Sequence, residues 1–206
     1  PGIRSDSDLH TFGYSFKPWI GPPIATASEI LSYMGDVIKE NRLEKSIRYK
    51  HRLLRANWCN AEKQWFIEAE CLENKELTHF RVNFLWMCQG YYRHNEGYTP
   101  NWDGVADFKG RIAHPENWPD DLDYNDKKVV VIGSGATAAT VVPAMASSAK
   151  HVTMLQRTPT FFRTGRNAIE IAETLRELNI DETWIHEITR RKIMHDQTTF
   201  TARCRS

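Results

Sequence analysis

The chain lacks any long apolar run. Nothing in its 206 residues approaches the roughly 20 consecutive apolar residues that a membrane-spanning helix requires, and no signal peptide opens it. Charge of one sign is also missing: 27 basic side chains against 26 acidic ones leave a formal net charge of +1, which gives no electrostatic reason to expect a nucleic-acid partner. Cysteine is sparse and scattered. The four residues Cys59, Cys71, Cys88 and Cys204 form no C-x-x-C or C-x-x-x-x-C pair, which argues against a redox dithiol and a zinc knuckle. Cys59 and Cys71 fall in strand-like stretches where they could face each other, but free, buried thiols are the simpler expectation. The eight histidines show no H-E-x-x-H or similar ligand spacing, so no metal is expected. There is no initiator methionine before Pro1-Gly2-Ile3-Arg4, which reads as a fragment or a processed product. With 41% hydrophobic and 26% charged residues, what remains is an ordinary globular composition suited to a reducing, cytoplasmic setting.

Glycine is scarce as well, at 11 residues, so a close pair of glycines is informative. Lys127-Lys128-Val129-Val130-Val131-Ile132 reads as a strand buried on both faces. Gly133-Ser134-Gly135-Ala136-Thr137-Ala138 follows, in the pattern G-x-G-x-x-A, then a small-residue helix from Thr137 to about Ser148 and a second strand at His151–Leu155. This βαβ context makes the glycine turn a candidate dinucleotide site. Gly133 permits the tight turn, Gly135 lets a pyrophosphate approach the backbone, and Ala138 lets helix and strand pack closely. The helix N-terminus offers free N–H groups and a positive dipole end. An NAD site would place an acidic residue after the second strand to hold the ribose 2′-hydroxyl. Here the chain reads Leu155-Gln156-Arg157-Thr158, and Arg157 and Thr158 suit a 2′-phosphate, so NADPH is the expected cofactor.

Residues 1–23 form an aromatic loop with Phe12, Tyr14, Phe16 and Trp19, of the kind that covers a site or a domain face. Ile30, Leu31, Met34, Val37 and Ile38 then recur at helical spacing, with Thr26 or Ser28 placed to cap, and read as a buried stripe. A β-meander is expected over about 47–82, with turns at Asn60–Lys63 and Glu73–Lys75, followed by Phe84–Cys88 as a central strand ending at Gln89-Gly90. Helix, meander, buried strand and Gly exit suit the second half of a flavoprotein dinucleotide domain, whose Gly-rich first half would lie upstream of Pro1. Residues 91–126 form a long connection. Residues 165–206 read as helical, with Ile169, Ala172, Leu175 and Leu178 in period and a second helix starting near Asp181. The basic run Arg190-Arg191-Lys192 reads as a solvated helix face.

Within the connection stands Phe108-Lys109-Gly110-Arg111-Ile112-Ala113-His114-Pro115-Glu116-Asn117-Trp118-Pro119. It resembles the Baeyer–Villiger monooxygenase fingerprint F-x-G-x-x-x-H-x-x-x-W-[PD] at Phe108, Gly110, His114, Trp118 and Pro119. The related flavin-containing monooxygenases carry Tyr or Phe where Trp118 stands. Pro1-Gly2-x-Arg4-x-Asp6 and Ser15-Phe16 resemble a further family segment, and the whole chain is most similar to the branch that includes the ethionamide-activating monooxygenases. Gln89 departs from the Ser or Thr usual in relatives before Gly90.

The resemblance implies an α/β fold with two Rossmann-like dinucleotide domains. Residues 1–98 would be the C-terminal part of an incomplete FAD domain, 99–126 the interdomain linker, and 127–206 the NADPH domain with its βαβ unit at 127–158. It implies that NADPH reduces FAD, that O₂ adds to the reduced flavin, and that the flavin C4a-peroxide oxygenates a ketone or a sulfur-containing small molecule. By the same resemblance Asp6 would lie by the flavin and orient a catalytic arginine, and His114 and Trp118 would couple cofactor binding to domain movement. Neither the FAD glycine motif nor the family's catalytic arginine is among these 206 residues, so the chain alone is expected to be inactive. Two other readings remain open: a silent or truncated NADPH-binding module, and a pyridine nucleotide–disulfide reductase-like enzyme, which would need the dithiol that the chain lacks.

Overall fold

The computed structural model describes residues 2–160, 162 and 165–205. Pro1 of the N-terminal motif and Ser206 of the expected helical segment lie outside the described residues. In chain order the elements are α1 (Leu9–Phe12), α2 (Ala27–Glu40), β1 (His51–Cys59), β2 (Gln64–Cys71), β3 (Leu77–Val82), β4 (Lys128–Ile132), α3 (Ala136–Ala146), β5 (His151–Leu155), α4 (Glu170–Glu177) and α5 (Glu182–Arg205). The chain is mixed α/β. It forms two compact units, one of residues 1–38 with 120–206 and one of residues 39–119. Among the described residues no helix is long and apolar enough to cross a membrane.

In the first unit β4 and β5 pair in parallel, Lys128 opposite His151 through Ile132 opposite Leu155, with α3 as the crossover. This is the expected βαβ unit, but β4 is not buried on both faces: Val129 and Val131 are half-buried while Val130 and Ile132 are exposed, because α3 covers one face and no described element covers the other. Pro143 sits inside α3 and has no N–H to give, so the Ala139 carbonyl lacks its usual helical donor. The N-terminal segment belongs to this unit through specific contacts. Asn167 donates its amide to the Ile24 carbonyl at 2.9 Å and accepts the Ile24 N–H at 2.8 Å. Leu9, Trp19 and Ala25 form a core cluster against Ile30 and Tyr33. Helix α2 starts on a capping box. The Thr26 N–H donates to Glu29 Oε2 at 2.7 Å, and the Glu29 N–H donates to Thr26 Oγ1 at 3.4 Å.

The expected stripe of α2 is only partly buried. Val37 is inside, whereas Leu31 and Met34 face solvent, because the packed face runs through Ile30, Tyr33 and Val37 instead. In the aromatic loop Trp19 is buried, while Phe12, Tyr14 and Phe16 are exposed. Helix α4 turns Ala172 inward and leaves Leu178 exposed. Asp181 accepts the Thr183 N–H at 2.9 Å and so caps α5. Arg191 pairs with Glu187 at 2.6 Å and Lys192 with Asp196 at 2.5 Å, as expected of a solvated face.

The second unit holds an antiparallel meander in the order β1-β2-β3. The left-handed residues Lys63 and Lys75 serve its two turns. Its polar face carries Arg52–Glu70 at 2.9 Å and Arg55–Glu68 at 3.5 Å, and Trp58 meets Trp65 edge to face on the other side. Cys59 pairs with Gln64 and Cys71 with His51, so the two thiols occupy opposite ends of the hairpin; both are free but only half-buried, because the hairpin ends are open to solvent. Residues 47–50 precede the first strand rather than form part of it. Phe84–Cys88, expected as a central strand, is irregular, with Phe84 and Trp86 exposed. A strand needs a neighbour to accept and donate its ladder bonds, and no described strand pairs with this run.

Candidate functional site

The glycine turn links β4 to α3. Gly133 takes φ 125°, a conformation that side chains disfavour, and its N–H donates to the Leu155 carbonyl at 2.9 Å. Gly135 is the N-cap of α3, with extended backbone and no side chain to cap the helix. The N–H groups of the first turn, at Ala136, Thr137 and Ala138, therefore lack the side-chain cap that would compete with a ligand. A Cβ added at Gly133 or Gly135 would meet no atom within 4 Å, so the space over the turn is open. Ala138 is buried, where a larger side chain would separate α3 from the strands. This cradle fits a dinucleotide pyrophosphate.

The segment after β5 lies against the same turn. Ser134 Oγ donates to the Thr158 carbonyl at 3.3 Å and lies 2.8 Å from Thr160 Oγ1. Arg157 and Thr158 are both exposed. The structure thus brings Gly133 to Ala138 and Arg157 to Thr158 into one place within the first unit.

Asp6 is exposed and, among the described residues, accepts a hydrogen bond only from the Ser7 hydroxyl, at 3.2 Å. With Arg4 and Ser5 it lines a cavity of about 290 Å³ against Ala136, Ala139 and Thr140 of α3. Asp8, which resembles Asp6 in the sequence, has a different role. It caps α1 by accepting the His10 N–H at 2.9 Å, and it holds His10 Nδ1 at 3.0 Å. His10 is buried, a feature that sequence reasoning missed because only the D-x-H spacing at a short helix start hinted at it.

The fingerprint lies in the second unit and packs on itself. The Phe108 ring covers Gly110 so closely that a Cβ there would overlap it. His114 caps the 3-10 turn Pro115–Asn117, its Nδ1 accepting the Glu116 N–H at 3.2 Å. That bond leaves the neutral ring's proton on Nε2. The ring also lies against buried Gly97, where a Cβ would overlap it. Trp118 and Pro119 are half-buried at the end of the turn. Gly97 stands outside the fingerprint spacing, and nothing in the sequence marks it as the residue under His114.

Comparison with known proteins adds the family. The model of a family described as "Flavin-binding monooxygenase-like" matches residues 18–170. A protein of an Acinetobacter species named probable FAD-binding monooxygenase AlmA is 48% identical over 185 residues, covering 89% of this chain and 37% of its own length. The FAD-containing monooxygenase EthA of Mycobacterium tuberculosis is 43% identical over 206 residues, covering 99% of this chain and 42% of its own. The chain thus spans well under half the length of these relatives. Among solved structures, a cyclohexanone-bound cyclohexanone monooxygenase aligns with a TM-score of 0.62 and 25% identity, over 78% of this chain and 30% of that one. An oxidized steroid monooxygenase bound to NADP aligns with a TM-score of 0.62 and 28% identity, over 78% and 31%.

Proposed function

The chain belongs to the flavin-binding monooxygenase-like family, and from that premise we propose that it supplies the NADPH-binding part of an FAD- and NADPH-dependent monooxygenase. The observation that carries the proposal is the open glycine turn, backed by an uncapped helix N-terminus and flanked by Arg157 where an acidic residue would select NAD. In this reading residues 1–98 complete an FAD domain, 99–126 form the linker and 127–206 the NADPH domain, each dinucleotide domain being Rossmann-like. The backbone N–H groups at 136–138 hold the pyrophosphate, and Arg157 and Thr158 hold the 2′-phosphate. Asp6 stands at the flavin edge and orients an arginine, and His114 and Trp118 act at the linker. FAD finds no phosphate cradle among these residues, since the only G-x-G turn is that at Gly133–Gly135, so no step is assigned to the chain through it. When bound and reduced by NADPH, FAD supplies the activation of O₂ that passes one oxygen atom to a ketone or a sulfur-containing substrate.

The test is equilibrium binding in the full gene product. Arg157→Ala is expected to weaken NADP⁺ by about 1.5–3 kcal/mol, the loss of a charge-assisted hydrogen bond, with little change for NAD⁺. Gly135→Val is expected to abolish both while FAD content stays intact, because the valine occupies ligand space and not protein space. Equal effects of Arg157→Ala on the two nucleotides would remove the 2′-phosphate assignment.

A further inference from the structure

We infer that the hydroxyl pair Ser134–Thr160 is a strap that positions Arg157, with Thr160 as a positioning residue for the nucleotide's 2′-phosphate; this rests on the NADPH reading above. Ser134 lies between the two glycines of the turn, and its place there suggests a phosphate contact. Its hydroxyl is instead engaged 24 and 26 residues away, at the Thr158 carbonyl (3.3 Å) and Thr160 Oγ1 (2.8 Å). When both contacts are made at once, the proton count sets their direction. A carbonyl only accepts, so the single Ser134 proton goes to Thr158, and Thr160 must then donate to Ser134 Oγ. Thr160 is thus the residue that completes the serine's hydrogen bonding.

The consequence falls on Arg157. On one side of it, Leu155 is tied to the turn by the Gly133 N–H at 2.9 Å. On the other side, Thr158 and Thr160 are tied to Ser134. Two consecutive residues of the phosphate turn therefore pin the backbone on both flanks of the arginine. The Arg157 side chain is exposed and makes no hydrogen bond or ion pair among the described residues, so the strap sets where the side chain starts and leaves its guanidinium free to meet a ligand. An arginine whose backbone is already fixed beside the turn loses less freedom when the phosphate arrives. The strap is exposed to water and contributes little to stability, so its removal is expected to alter discrimination without unfolding the unit.

The experiment measures dissociation constants of NADP⁺ and NAD⁺ by titration calorimetry, with unfolding midpoints, for the full gene product and its Thr160→Val, Thr160→Ser, Ser134→Ala and Arg157→Ala variants. Thr160→Val is expected to weaken NADP⁺ about 3- to 10-fold, leave NAD⁺ within about twofold and keep the unfolding midpoint. Thr160→Ser is expected to behave as wild type, and Ser134→Ala to match or exceed Thr160→Val. If Arg157→Ala weakens NADP⁺ selectively but Thr160→Val does not, the strap is overturned and the NADPH reading stands. If Thr160→Val weakens both nucleotides equally, the strap supports the turn and not Arg157, which also overturns the inference. If Arg157→Ala shows no selectivity, the reading fails and the strap falls with it.

Discussion

Asp6 and Asp8 illustrate what single residues reveal only in three dimensions. In the sequence they are two carboxylates of one polar loop, distinguished by resemblance alone. In the structure Asp8 is occupied by the first turn of α1 and by His10, whereas Asp6 lines the cavity beside α3. The two alanine variants should therefore fail differently. Asp8→Ala loses a helix cap and the partner of a buried imidazole, and is expected to destabilise by about 1 kcal/mol in chemical denaturation. Asp6→Ala is expected to keep its stability but to divert NADPH consumption from oxygenated product to hydrogen peroxide, read by measuring all three species in the full gene product. An uncoupled Asp8→Ala beside a wild-type Asp6→Ala would reverse the assignment. Gly97 offers a second test at this scale. Gly97→Ala forces a methyl group into the His114 ring and is expected to cost about 1–3 kcal/mol, the range for overpacking. The double variant Gly97→Ala with His114→Ala should recover much of that loss, since the overlapping ring is gone. If the double variant is simply the sum of the two losses, the ring does not rest on Gly97.

At the scale of elements, legibility followed how locally each element is determined. Strand β5 and strand β3 stand where the pattern puts them, because their partners, β4 and β2, lie within the chain and pair with them. Phe84–Cys88 was not legible, because an apolar run becomes a strand only when another strand meets it. Leu31 and Met34 match the helical period yet lie outside, since period fixes spacing and not which side of α2 meets Trp19, a contact made by Tyr33. The contact of α1 with α5 was invisible in sequence, and it brings His186 near His10. His186 is buried, and among the described residues neither its Nδ1 nor the Thr189 hydroxyl one turn on has a hydrogen-bond partner. Burial, then the nearby His10 and then Arg190, hold His186 below its ordinary value near 6.5, against a smaller opposing pull from Glu187. A histidine depressed in the folded state is favoured as the neutral ring, so its stabilisation is complete above the unfolded value and declines as pH falls through the folded one. Denaturation at pH 7.5 and at pH 5 should show a loss of stability on acidification that His186→Gln reduces. An unchanged pH dependence in that variant would assign the loss to other groups.

At the scale of the whole chain, the two compact units carry different parts of the proposed chemistry. The glycine turn, Arg157 and Asp6 belong to residues 1–38 and 120–206, while the fingerprint belongs to residues 39–119. A ligand that binds only the folded state stabilises what it touches, by about 2.7 kcal/mol at a concentration 100 times its dissociation constant. Amide exchange reports that stabilisation segment by segment, since opening free energies vary across a structure. NADP⁺ is therefore expected to slow exchange in the turn and first half of α3, at about residues 133–141, and in β5 with its following segment, at 151–158. The meander at 51–82 makes no part of the proposed cradle and should exchange at the same rate with and without nucleotide. The fingerprint decides more. If His114 and Trp118 respond to cofactor binding, protection must extend to residues 108–119 even though they contribute nothing to the glycine turn. Protection confined to the first unit would leave the nucleotide assignment intact and remove the coupling role from the fingerprint. Protection of the meander without the turn would place the nucleotide in the wrong unit.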